Sequence, residues 1–130
     1  MKWILGLLLA CVMLPTLQTQ VNAQEGLYKP RWVSGLILRV HEDLNRGYAV
    51  WHLSGGDQDR LNHAEKQLHE FGKHWREGKF DKGNLDSAIA SVQHVIDNNR
   101  LHGPERDALW NDVEQLRRMR EAYDRHEIGY

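Results

Sequence analysis

FDKGNLDSAIASVQHVIDNNRLHGPERDALWNDVEQLRRMREAY (residues 80–123) is the stretch that decides the fold. Leu85, Ala88, Ile89, Val92, Val95 and Ile96 recur at spacings of three and four, which puts them on one face of a 3.6-residue helix. Asp81 or Asn84 can accept bonds from the free amides at its start, and Asp86 suits the positive end of the helix dipole. Asn98 and Asn99 stop it, because Asn tolerates the left-handed conformation found just past helix ends. Pro104 opens the next helix at a position where a missing amide costs nothing. There Leu109, Val113, Leu116, Met119 and Tyr123 form the apolar stripe, supported by the acid-then-base pairs Glu114/Arg118 and Glu121/Arg125. The short turn between the two helices predicts antiparallel neighbours.

Outward from this pair, residues 57–77 keep the same rhythm. Leu61, Ala64, Leu68, Phe71 and Trp75 alternate threes and fours, Asp57 or Asp59 can cap the start, and Gly78 ends the helix. Residues 32–53 carry Val33, Leu36, Ile37, Val40, Leu44, Gly47, Tyr48 and Trp51 at helical spacing, with Arg39, Glu42, Asp43 and Arg46 on the other sides. A hairpin turning at Asn45-Arg46-Gly47 competes, since Tyr48 to Trp51 favours strands, but the helical matches outnumber the alternation. Gly47 on the buried side would allow close helix approach. The expectation is an all-α, up-down-up-down four-helix bundle. It forms one domain over residues 31–127, with helices at about 32–53, 57–77, 84–98 and 104–126.

The amino terminus reads as an address. Lys2, an apolar run over residues 3–14 and Val21-Asn22-Ala23 make a cleavable signal peptide (residues 1–23), followed by a flexible lead-in over 24–30. The apolar run is far shorter than the roughly 20 residues a bilayer crossing needs, so no stable membrane insertion is expected. Leu8-Leu9-Ala10-Cys11 has the look of a lipobox, but only ten residues precede Cys11, too few for a charged start and a full apolar segment. Cleavage after Ala23 places the protein in the periplasm or outside the cell and removes its single cysteine. A mature chain without cysteine excludes disulfides, thiol catalysis, cysteine-ligated metals and covalent c-type haem. With 18 acids and 16 bases beyond residue 23, the mature charge is −2, which offers no grip on phosphate backbones and argues against nucleic acid.

Eight histidines are the compositional oddity: His41, His52, His63, His69, His74, His94, His102 and His126. No two lie three or four apart. His69-Glu70-Phe71-Gly72-Lys73-His74 has one residue too many for the zinc-protease signature, turning its two rings about 140° apart. No Glu-x-x-His pair serves a di-iron site. Asp59/His63, Glu65/His69 and Glu70/His74 read as surface pairs that support their helix. The alternative is a divalent transition-metal clamp at Glu70 and His74, with Glu77 one turn on. A second alternative is a pH-responsive module, since unperturbed imidazoles gain charge near pH 6.5.

No nucleophile elbow or phosphate-cradling loop is present, so no enzyme is read and no cofactor is assigned. Trp110 lies about 100° round from Leu109, on the side of Arg106 and Arg117, and an exposed Trp between arginines has the composition of a protein-binding hot spot. The expected function is a small exported helical module that binds another protein of the envelope or extracellular space, or serves it structurally.

Overall fold

The computed structural model describes residues 27–98 and 101–128; the expected signal segment and Cys11 lie outside the described residues. Four α-helices account for most of the described chain, with no strand among the described residues: α1 (Pro30–Val50), α2 (Gly55–Arg76), α3 (Lys82–Asn98) and α4 (Gly103–Asp124). The segment that could have turned as a hairpin is one continuous helix, running through Tyr48 and Ala49 to Val50.

Local chemistry explains each boundary. Pro30 and Pro104 sit in the first turns of α1 and α4, where their missing amides cost no bond. The cap of α2 is Ser54, not Asp57 or Asp59: its hydroxyl accepts from the Asp57 amide at 3.3 Å and donates to the Asp57 carboxyl at 2.9 Å. That exchange starts the helix two residues before the expected position and leaves Asp57 inside its first turn. Gly78, at φ 100°, reverses the chain so that the Lys79 amide returns to the His74 carbonyl at 2.8 Å.

Asp81 caps α3, accepting from the Asn84 amide at 3.2 Å and the Asn84 side chain at 2.8 Å. Partial burial alone would raise its carboxyl, but those bonds and one to His74 outweigh it and hold Asp81 below its ordinary value. A depressed folded value adds stability above the unfolded value of about 3.9, and that stability is lost as pH falls through the folded value. Asp81→Ala should therefore cost about 1 kcal/mol in urea unfolding at neutral pH, with a penalty that shrinks in acid.

Packing closes a ring. α1 touches α2 and α4, α3 touches the same two, and the α2/α3 seam is the most extensive. Partner numbers fall on one helix as they rise on the other: Lys82–Asp124, Asp86–Arg120 and Gln93–Arg117 across α3/α4, and His41–Glu65 and Tyr48–Asn62 across α1/α2. The stripes expected from spacing meet inside, with Leu44, Leu61, Phe71, Leu85, Val92, Leu109 and Met119 fully buried.

Both ends are closed by aromatic rings. Phe80 stacks on Tyr123 with centroids 4.0 Å apart and meets Phe71 and Trp75 edge-on, while the Trp75 indole donates to the Tyr28 carbonyl at 2.7 Å. At the other end the Trp51 indole donates to the His102 carbonyl at 3.3 Å, tying the α1–α2 loop to the α3–α4 loop.

Two expectations about α1 need correcting. Gly47 is buried, but the first atoms a Cβ there would meet are those of the Trp51 ring. Its missing side chain makes room for a tryptophan folding back on its own helix. Asp43, expected on a solvent side, is 4% exposed. The pairings of helical acids also differ: Glu114 pairs with Arg117 and Glu65 with His41 of α1, because a well-placed side chain on another turn or helix competes with the i,i+4 partner.

Candidate functional site

A groove of about 660 Å³ runs between α1 and α2 on the outer surface. It follows from two residue columns that lie just beside the core stripes. Ser34, Ile37, Leu38 and His41 form the α1 wall; Asn62, Glu65, Lys66, His69, Gly72 and Arg76 form the α2 wall at helical spacing; Val40 and Leu68 lie at its floor. Leu38 stands 57% exposed at the lip, an apolar side chain that the fold leaves in water. Gly72 shapes the wall: an added Cβ would fall 2.8 Å from Ile37 Cδ1, so a bare backbone here lets Ile37 pack down, and the Arg76 guanidinium lies 3.8 Å from the same point.

One end of the groove is fixed by hydrogen bonds. His41 Nδ1 lies 3.2 Å from Glu65 Oε1, and its Nε2 lies 3.0 Å from the Asn45 amide nitrogen. Those two contacts fit the tautomer with the proton on Nδ1, with Glu65 accepting and Asn45 donating. Beyond them, the Tyr48 hydroxyl donates to Asn62 at 3.4 Å; burial, then the Glu65 charge, push it up to about 12. Glu65 is the only acid in the groove lining and it is engaged by His41. Lys66 and Arg76 have no ion-pair partner among the described residues. The surface is thus apolar at its floor and lip, with unneutralised cations along one wall.

A second constellation lies inside the bundle, between α1 and α4. Asp43 and Asp112 are 4% and 2% exposed, and they face each other. Arg39 reaches Asp112 Oδ1 at 3.3 Å and donates to Gln115 at 2.8 Å, while Arg46 reaches Asp43 Oδ1 at 3.4 Å. Burial, then the hydrogen bond and charge of Asp43, push the Asp112 carboxyl up to about 8, with Arg39 opposing them. Asp112 Oδ2 is buried with no donor to satisfy it. A proton on that oxygen resolves both observations, since it removes the like-charge contact and turns Asp112 into a donor toward Asp43. Two carboxyls sharing a proton are a familiar acid–base arrangement; here both lie almost wholly buried beneath the Arg39 and Arg46 side chains, which themselves reach the surface. Their signal was present in the sequence: Asp43 follows Val40 by three, and Asp112 lies three after Leu109 and four before Leu116, all core positions.

Arg106, Trp110 and Arg117 share one face of α4, at spacings of four and seven. Trp110 is half-buried and packs against the core instead of standing free. Arg117 donates to Gln93 of α3 at 2.8 Å and reaches Glu114 at 3.5 Å; Arg106 lies 3.7 Å from Asp107. Of the candidate metal ligands, Glu70 is half-buried in α2 and Glu77 is the exposed residue that closes that helix. His74 turns to the loop instead, its Nδ1 2.6 Å from Asp81 Oδ2. Among the described residues, no group of three or more His, Cys, Asp or Glu side chains is arranged to hold a metal ion. No helix of the described chain is long and apolar enough to cross a membrane. Comparison with protein-family models, curated proteins and solved structures returned no match to this chain.

Proposed function

We propose that this protein is exported by a cleaved signal peptide, folds as an up-down-up-down bundle and works by binding another protein in the envelope or extracellular space. The binding surface is the α1/α2 groove. The observation that carries this reading is the combination there of an exposed Leu38, an apolar floor and two cations without ion-pair partners among the described residues. Of the large apolar side chains that the described residues leave exposed, Leu38 is the most exposed, and a formed, partly apolar groove beside it is a surface suited to being covered by a partner. The face of Arg106, Trp110 and Arg117 takes second place, because both arginines are engaged locally and Trp110 is committed in part to the core.

The test is a capture experiment with the exported form, comparing wild type with Leu38→Glu. An exposed position away from core and caps should tolerate the change within about 0.5 kcal/mol, so the variant should melt like wild type. The expected result is loss of captured partner. Equal capture by the two proteins would sink the groove as the binding surface.

A further inference from the structure

Resting on the groove as binding surface, we propose that its occupant is an acidic amphipathic helix of a partner protein, laid along α2 as a fifth helix. Length comes first. The α2 wall spans Asn62 to Arg76, roughly 20 Å at the helical rise, which is about the length of four helical turns. Two parallel ridges with a trough between them are the seat a third helix takes when its apolar stripe packs down, here onto Ile37, Leu38 and Leu68.

Charge then selects the sign of the partner. Lys66 and Arg76 lie about 15 Å apart along α2, and Glu65 is already turned to His41, so the wall presents cations that an incoming acid would neutralise. Acids ten or eleven residues apart on the docked helix would meet both. The spread of polar groups also separates this occupant from a lipid. Ser34, Asn62, Lys66, His69 and Arg76 line the walls from end to end, whereas a fatty acid has one polar head and would leave the other groups facing its tail. A helix with polar flanks on both sides of its apolar stripe meets all of them.

The experiment uses the mature domain and a fluorescein-labelled synthetic peptide of about 15 residues, with Leu at helical spacing and Glu on both flanks. It runs beside a peptide with Lys replacing each Glu and, separately, palmitate. Fluorescence anisotropy should show the Glu peptide binding, weakening as salt rises, and losing about tenfold or more in affinity to the double variant Lys66→Glu, Arg76→Glu. The same double variant should gain affinity for the Lys peptide, a reversal that a merely damaged fold would not produce. Equal binding of the two peptides, or no reversal, overturns the proposal. Palmitate binding that Leu38→Glu abolishes, with neither peptide bound, leaves the groove as a binding surface but removes the helix as its occupant. If Leu38→Glu changes the binding of none of these probes, the groove reading falls together with the proposal.

Discussion

Raising the pH from 5 to 8 should withdraw from this domain the stability that a protonated Asp112 contributes, and Asp112→Asn should remove that part of the pH dependence. The folded Asp112 carboxyl is pushed up to about 8 by burial and by Asp43, against about 3.9 in an unfolded chain. Between those values the folded chain holds a proton that the unfolded chain has released. Its contribution is therefore complete below about pH 4, declines by about 1.4 kcal/mol per pH unit, and is gone once the pH passes the folded value.

Asparagine has the shape of the protonated acid and cannot ionise. Its carbonyl can still accept from Arg39, and its amide can donate toward Asp43 where the acid proton would lie. Urea unfolding at pH 5, 6, 7 and 8 provides the check. The histidines are common to both proteins, so the difference between the two curves isolates Asp112. Parallel curves would mean that the buried carboxyl is ionised throughout.

Gly47→Ala should destabilise by about 2–3 kcal/mol, while Gly35→Ala should stabilise by up to about 1 kcal/mol. Both glycines lie inside α1, and helix propensity alone favours alanine at each. Around Gly35 an added methyl group meets nothing within 4 Å, so the backbone gain stands. At Gly47 it enters the ring of Trp51, which is only 6% exposed and whose indole holds the His102 carbonyl of the distant loop. Expelling that ring forfeits most of a large burial and one interloop bond, which outweighs the propensity gain. Thermal melts of the two variants on either side of wild type would establish the packing role of Gly47; a stabilised Gly47→Ala would show that Trp51 moves aside freely.

The pair shows where periodicity stops being informative. A buried glycine at a core position reads as a place for two helices to approach, and the helical spacing of Val40, Leu44 and Gly47 supports that reading. Whether a helix or a nearby tryptophan fills the space depends on how the chain leaves α1. Trp51 leaves the helix with extended backbone and swings back over it.

The four helices themselves could be read locally. Their apolar residues repeat every three or four positions; Ser54, Gly78 and Asp81 mark ends through bonds or turns made within a few residues, and Pro30 and Pro104 through an amide they lack. Such signals act over one or two turns, so they are written where they operate. Even there a choice between neighbours can go either way, as with Ser54 taking the cap that Asp57 could have filled.

The groove and the carboxyl pair belong to another level. Leu38, Lys66 and Arg76 are ordinary surface residues until α1 and α2 lie side by side in one register. Asp43 and Asp112 lie 69 residues apart; each alone shows an acid in register with core positions, but not which other group it will face. Their meeting inside the α1/α4 seam raises Asp112 because burial and like charge act over a few ångströms of space, whatever the separation along the chain. By itself the sequence determined the helices and the faces they hide, since those depend on local bonds and a 3.6-residue period. Only the tertiary structure decided which polar groups face one another and which apolar ones stay uncovered, because those outcomes depend on interhelical register.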